Sequence, residues 1–217
     1  MPEGHVTVWC LLGRKAGDNT QVRALAEELG FGYEEKRILA HAWELLVHLG
    51  PSGTLAGIDR HASSALEAPW PDLVITAGRR NEPVAQWIRN RSGGRTRLVH
   101  IGRPWASPGA WDLVVSTPQY FLPAQDNVLV NSLPLHRASA TAREHAAHAL
   151  LPQVEHLSAP RIAVLLGGDS GRFVVTPEKG ARLARLANGL AEATGGSLLV
   201  TDSPRTVSYT HLRAHET

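Results

Sequence analysis

The chain has 217 residues, of which 43% are hydrophobic and 19% charged. This composition supplies a packed core and excludes a disordered or fibrous protein. The formal net charge is only +2, which argues against a nucleic-acid-binding protein, because such proteins carry clustered positive charge.

The N-terminal region contains a short apolar run at residues 6–12, preceded by Glu3 and by no Lys or Arg, unlike a signal peptide. This run and the one at residues 162–166 are far shorter than the roughly 20 residues that cross a bilayer. The single cysteine, Cys10, lies in the first run, where a buried structural thiol is more common than a nucleophile. We expect a soluble, cytoplasmic protein without a transmembrane segment.

Continuous apolar runs alternate along the chain with segments that have apolar residues at helical spacing. The runs predict short strands, and the segments between them predict helices. The predicted strands are residues 6–12, 33–39, 72–77, 96–101, 112–116, 127–131, 161–166 and 197–201. The predicted helices are residues 18–29, 42–49, 82–91, 140–157 and 177–194, with a further short helix around 58–66. The class is α/β, with a Rossmann-like, doubly wound parallel sheet covered on both faces.

The sequence Ser-Ala-Pro at residues 158–160 indicates a linker, after which the strand, Gly loop, helix and strand pattern begins again. We therefore predict a first Rossmann-like domain over residues 1–157 and the start of a second over residues 158–206. A single strand-helix-strand unit cannot form its own sheet, since sheets usually have about 4 to 6 strands. We expect the second domain to be incomplete and the chain to be inactive as it stands.

The segment 207–217, with the sequence VSYTHLRAHET, breaks the pattern and is interpreted as non-native. Its His211 and His215 are four residues apart and can share a helix face, and Glu216 follows directly. Their order differs from HExxH, and no further ligand has a clear spacing. We predict no metal site.

The loops that follow the strands are the candidate ligand-binding segments, because ligands of open parallel sheets bind beyond the carboxyl ends of the strands. These loops are GRKAGDN at 13–19, GRRN at 78–81, GRP at 102–104, STPQY at 116–120, NSLPLHR at 131–137 and GGDSGR at 167–172. Glycine permits close approach of the backbone, and a helix N-terminus offers unpaired N–H groups to an anion. The loops therefore predict phosphate binding.

Two of these loops allow alternative interpretations. In one interpretation of GRKAGDN, the Asp18 carboxylate caps the following helix. In the other, Lys15 pairs with an anion while Asp18 hydrogen-bonds a sugar hydroxyl or accepts its proton. The loop GGDSGR either binds a diphosphate through its backbone, Ser170 and Arg172, or is an ordinary strand-to-helix turn.

The segment from Arg79 to Arg103 contains seven Arg and a single acid, Glu82. Arg79 and Arg80 form either an anion clamp or part of the solvated surface. His100 lies within a predicted strand and is expected to be a hydrogen-bonded core residue. His136, in a loop, is a candidate for ligand binding.

Six segments in register resemble the mitochondrial-fission Elm family, whose bacterial members are classed as glycosyltransferases. They are WCLLGRKAGDNTQ, PWPDLVITAGRR, SGGRTRLVHIGRP, WDLVVSTPQY, NSLPLHR and RIAVLLGGDSG, and the resemblance extends in order from about residue 6 to residue 206. The resemblance implies a GT-B-like architecture, with an acceptor-binding first domain and a nucleotide-sugar-binding second domain. This chain would retain only the GGDSGR loop of the donor site.

The resemblance places residues 167–171 near the donor phosphates, and Lys15, Asp18 and Asn19 opposite them on the acceptor side. We assign Asp18 as the candidate base. The candidate binding residues are Gly13, Lys15, Gly17, Asn19, Arg79, Arg80, Arg103, Gln119, His136, Gly167, Gly168, Asp169, Ser170, Gly171 and Arg172.

Three functions remain open. The first is glycosyl transfer from a nucleotide-sugar donor, without a further cofactor, to an unidentified acceptor; a membrane-associated acceptor would place the protein at the inner membrane surface. The second, implied by plant relatives, is a non-catalytic scaffold that recruits a dynamin-like GTPase. The third, a nucleotide-sugar epimerase, is disfavoured because GRKAGDN lacks the dinucleotide-binding glycines.

Nucleotide binding also bears on the domain assignment. With the second domain incomplete, we expect no saturable binding of nucleoside diphosphates to this chain. Saturable binding would instead mean that the first domain holds the nucleotide.

Overall fold

The computed structural model describes residues 6–50, 52–168 and 174–202. Contacts between residues divide the chain into two compact units, Met1–Ala138 and Ser139–Thr217. This division falls before the helix predicted at 140–157, whereas the sequence indicated a boundary after that helix. The helix therefore groups with the second unit.

The first unit is built on a six-stranded parallel sheet with the order β2-β1-β3-β4-β5-β6. Its strands are β1 (Val8–Leu12), β2 (Tyr33–Arg37), β3 (Leu73–Ala77), β4 (Arg97–Ile101), β5 (Leu113–Ser116) and β6 (Val128–Val130). The strand order reverses direction between β1 and β3, which makes this the switch point of the sheet. The predicted α/β class and all six strands of this unit are confirmed.

Helices cover both faces of the sheet, as expected for a doubly wound fold. On one face, Val22 and Ala26 of α1 (Ala16–Glu28) pack with strand residues that include Cys10. On the other face, Val84 and Ile88 of α2 (Glu82–Arg91) pack with a second set of strand side chains. Burial raises the pKa of the Cys10 thiol to about 12, in agreement with the structural role predicted for it.

The connection between β2 and β3 differs from the prediction. The segment predicted as a helix at 42–49 is a short 3-10 helix, Glu44–Leu49. Residues 58–66 form no helix; Ile58 instead forms an isolated antiparallel bridge with Ala40. The Asp59 carboxylate accepts bonds from the backbone N–H groups of His61 and Ala62 at 3.0 Å each, and this local turn competes with helix formation.

The second unit contains α3 (Ala140–Val154), β7 (Arg161–Leu165), α4 (Pro177–Thr194) and β8 (Ser197–Thr201). Its two strands pair in parallel, as the repeat of the strand-helix-strand pattern predicted. Ser139 and Thr176 cap the two helices by accepting backbone N–H bonds. In the described residues, no helix is both long and apolar enough to cross a membrane.

Candidate functional site

A polar cleft lies at the switch point of the first unit, beyond the carboxyl ends of β1, β3 and β4. It consists of two hollows of about 80 and 260 Å³ that share Lys15, Asp18, Gly78 and Arg79. The first hollow also contacts Gly13, Arg14, Arg80 and Asn81, and the second contacts Gln21, Gly102, Arg103, Trp105 and Tyr120. We call the two hollows together the switch-point cleft.

Gly78 allows the two sides of this cleft to approach one another. Its φ of +75° is a conformation that side chains rarely adopt, and a Cβ there would lie 2.9 Å from Oδ2 of Asp18. The carboxylate of Asp18 is therefore packed directly against the backbone at the end of β3. Any residue larger than glycine would displace it or strain the chain.

Helix α1 begins at this cleft without a side-chain cap. Its N-cap residue is Lys15, which makes no side-chain cap hydrogen bond, and Asp18 lies in the first turn. Asp18 therefore lies inside the helix and not at its N-cap position, and the choice between capping and proton transfer for its carboxylate stays open. The helix starts two residues earlier than predicted, so that its N-terminal N–H groups lie beside the cleft, where an anion is favoured.

Asn19 holds the loop after β1 in shape. Its Oδ1 accepts a bond from the Gly13 N–H, and its Nδ2 donates to the Gly13 carbonyl, both at 2.9 Å. Asn81, directly before α2, supports the same region, because its Nδ2 donates to the Leu11 carbonyl at 3.1 Å. We therefore assign Asn19, which the sequence offered as a binding residue, to positioning of the Gly13 loop.

The two consecutive arginines have different environments. The Arg79 guanidinium lies over the ring of Trp105, with Cζ 4.5 Å from the ring centroid, and lines both hollows of the cleft. Arg80 forms an ion pair through Nε with the buried carboxylate of Glu44. A buried carboxylate needs such a partner, so Arg79 is the arginine of this pair that remains for a ligand.

The remaining predicted residues of the first unit are distributed more widely. Arg103 lines the outer part of the cleft and donates from Nη1 to the Tyr120 carbonyl at 3.0 Å. Gly17 lies exposed in the first turn of α1. Gln119 is exposed and does not line the cleft, and His136 lines a separate hollow beside Ala24 and Glu28. The structure does not bring the last two together with Lys15 and Asp18.

The predicted diphosphate loop belongs to the second unit. Gly167 and Gly168 follow β7, whereas Asp169, Ser170, Gly171 and Arg172 lie outside the described residues. His211, His215 and Glu216 also lie outside them. Binding of phosphate by this loop stays a prediction.

Glu82 holds the Trp105 segment, which borders the cleft, but it was not a candidate from the sequence. Its carboxylate is buried and accepts bonds from the backbone N–H groups of Trp105 at 2.8 Å and Ala106 at 2.9 Å. Burial raises the pKa of Glu82, and the two backbone bonds partly offset this increase. The only sequence signal was its position as the lone acid among seven arginines, which does not identify its partners 23 and 24 residues away.

His100 is fully buried on β4, where it pairs in register with Thr76 of β3. Burial lowers its pKa to about 3, partly offset by the Gly102 backbone, so the ring is neutral at pH 7. The predicted core position is confirmed. The predicted hydrogen bonding is not, because neither ring nitrogen has a well-formed hydrogen bond to any part of the chain that the structure describes.

The fold and the cleft together define a class. The protein is a Rossmann-like α/β protein with a polar cleft at the switch point of a parallel sheet, which is the usual ligand site of such sheets. The chain belongs to the family Mitochondrial fission ELM1, whose model matches residues 16–214. The family resemblance is therefore confirmed, and the match extends into the segment 207–217. No curated protein and no solved structure matches the chain.

Proposed function

We propose that this protein transfers a glycosyl group from a nucleotide sugar to an acceptor hydroxyl, and that the switch-point cleft binds the reacting groups. One observation carries the proposal. The carboxylate of Asp18 and the cationic side chains of Lys15, Arg79 and Arg103 line a single cleft, although they come from segments that follow three different strands, β1, β3 and β4. Glycosyl transfer requires a base for the acceptor and cations for the departing diphosphate.

The cationic groups are arranged for phosphate oxygens. Arg79 rests on the Trp105 ring, and this contact orients its planar guanidinium, which can donate two parallel bonds to phosphate. Lys15 adds a second positive charge next to the N-terminus of α1. Helix N–H groups and cationic side chains both favour a negatively charged ligand, so both support a diphosphate beside the N-terminus of α1.

Asp18 supplies a carboxylate to both hollows of this cleft, and a positioned carboxylate can act as a general base. In the proposed step, a bond forms between the acceptor oxygen and the sugar carbon, while the bond from that carbon to the diphosphate breaks. The hydroxyl proton passes to Asp18, and the electron pair of the broken bond leaves with the nucleoside diphosphate. Lys15 and Arg79 neutralise the charge that develops on it.

The test combines a turnover assay with calorimetry. The protein is incubated with UDP-, GDP- and ADP-sugars and methyl glycoside acceptors, and release of nucleoside diphosphate is measured by chromatography. Calorimetry measures the binding of the nucleoside diphosphates themselves. The residues that line the cleft all belong to the first unit, so this proposal replaces the expectation from the sequence that the chain is inactive and binds no nucleoside diphosphate. We expect release that requires an acceptor, and saturable binding that the variant Arg79→Ala weakens by about 1.5–3 kcal/mol, the usual contribution of a hydrogen bond to a charged group.

Arg95→Ala is the matched control, since Arg95 is exposed and precedes β4 at the opposite edge of the sheet. Equal binding by the wild type and Arg79→Ala would overturn the proposed role of the cleft. If no diphosphate binds and no donor turns over, glycosyl transfer is refuted. Nucleotide-independent capture of a dynamin-like GTPase would then support the scaffold function instead.

A further inference from the structure

A second pocket shares Trp105 with the switch-point cleft. It has a volume of about 240 Å³, and its walls include Val47, His48, Ser52, Pro83, Gln86 and Trp105. We call it the His48 pocket. None of the candidate residues from the sequence lines it, and the mechanism proposed above does not use it.

The charge of the His48 pocket differs from that of the cleft. Of the described residues that line it, none is Lys or Arg, and its one carboxylate, Glu82, is bound by two backbone N–H groups. Burial lowers the pKa of His48, so this ring is neutral at pH 7. The cleft presents Lys15, Arg79 and Arg103. An anionic group is therefore favoured in the cleft, and an uncharged group in the pocket.

The lining combines apolar surface with uncharged hydrogen-bonding groups. Val47, Pro83 and Trp105 supply the apolar part, while Ser52 and Gln86 supply a hydroxyl and an amide. Gln86 is held in place because its Nε2 donates to the Ala110 carbonyl at 3.0 Å. A sugar ring has this same combination, with C–H groups on its faces and hydroxyls on its edge, and binding sites of this kind are largely apolar with a few placed polar groups.

Trp105 connects the pocket with the cleft. Its ring contacts the Arg79 guanidinium, and it also meets the ring of His48 in an edge-on arrangement with centroids 4.9 Å apart. The two backbone N–H bonds to Glu82 hold the Trp105 segment in position. A substrate that extends from the cleft past Trp105 would thus pass from a cationic site into an uncharged one.

We propose that the His48 pocket binds an uncharged sugar ring of the acceptor, which makes the acceptor a glycoside. That the sugar ring belongs to the acceptor rests on the proposed function, but the binding of a sugar ring in this pocket can be tested by itself. The pocket holds the ring through apolar contact with Trp105 and hydrogen bonds to Ser52 and Gln86. It supplies no charge for a phosphate.

The test maps two probes on the unsubstituted protein by NMR. Methyl glycosides of glucose, galactose, mannose and N-acetylglucosamine probe the pocket, and inorganic pyrophosphate probes the cleft. We expect at least one glycoside to shift the backbone amide resonances of Ser52 and Gly53, and pyrophosphate to shift those of Gly78 and Gly102. If no glycoside shifts Ser52 and Gly53, the inference is overturned.

A filling substitution gives an independent measurement. Ser52→Trp places an indole in the pocket and should weaken glycoside binding at least tenfold, whereas Ser132→Trp, an exposed position outside the pocket, should leave it unchanged. Unaltered binding by a folded Ser52→Trp protein would contradict the assignment, and the amide shifts decide the question if that variant does not fold. Glycoside binding without any binding of pyrophosphate or nucleoside diphosphate would refute the proposed function while leaving the pocket assignment intact.

Discussion

Replacing Glu82 should destabilise the protein, because this carboxylate connects α2 with the loop between β4 and β5. Both of its oxygens accept backbone N–H bonds, and the residue is only 2% exposed. Glu82→Ala leaves the N–H groups of Trp105 and Ala106 without an acceptor, at a cost of about 1–3 kcal/mol each. Removing a buried charge returns part of this cost. We expect a net loss of about 2–4 kcal/mol in the free energy of unfolding.

Glu82→Gln gives a graded comparison. The amide keeps one acceptor oxygen and presents an NH2 group to the other backbone N–H, so about half of the loss is expected, roughly 1–2 kcal/mol. Glu67→Ala is the control, since Glu67 is exposed and surface substitutions usually change stability by less than about 0.5 kcal/mol.

Urea unfolding followed by tryptophan fluorescence measures these differences. The expected order of stability is Glu67→Ala, then Glu82→Gln, then Glu82→Ala. A Glu82→Ala protein as stable as the control would show that the two backbone bonds do not anchor the Trp105 segment. Trp105 would then not be fixed as the shared wall of the cleft and the His48 pocket.

Two further predictions concern pH and backbone conformation. Burial lowers the pKa of His100 from its ordinary value of 6.5, which applies in the unfolded chain, to about 3 in the folded protein. Between these two pH values only the unfolded chain binds the proton. The free energy of unfolding should therefore fall as the pH drops through this range, by at most about 1.4 kcal/mol per pH unit. Urea unfolding between pH 7 and 4 should show that the free energy of unfolding falls more steeply with pH in the wild type than in His100→Gln. Equal pH dependence of the two proteins would contradict this prediction. Gly78→Ala should cost more unfolding free energy than Gly93→Ala, because both residues have positive φ but only Gly78 has Asp18 within 4 Å of a new Cβ. Equal losses in thermal unfolding would show that the close approach of Asp18 carries no penalty.

The strands were predictable because the sheet is parallel and covered on both faces. Each central strand is buried on both sides, so its residues form a continuous apolar run that stands out in the sequence. α2 was predicted at its observed bounds, Glu82–Arg91, since an acid near its start and arginines near its end match the helix dipole. In contrast, the segment after β2 lacks periodicity, and the turn at Asp59 is determined by a local side-chain bond.

The candidate site was only partly predictable. Placing ligands at the carboxyl edge identified Lys15, Asp18 and Arg79 without knowledge of the strand order. The contacts of Trp105 could not be predicted, because its neighbours Arg79, His48 and Glu82 are distant in sequence and meet it only after the sheet has formed. Likewise, no local pattern distinguishes Arg79 from Arg80, since the difference is the ion pair of Arg80 with Glu44.

The two edges of the six-stranded sheet have a consequence for self-association. An exposed edge strand can pair with the edge of another molecule and start aggregation. The edge strand β2 carries four consecutive charged residues, and one of them, Lys36, turns inward over the ring of Trp9 with Nζ 4.3 Å from the ring centroid. The opposite edge, β6, is only three residues long. An inward charge on one edge and a short strand on the other both oppose the addition of a further strand, so the sheet is protected against edge-to-edge pairing.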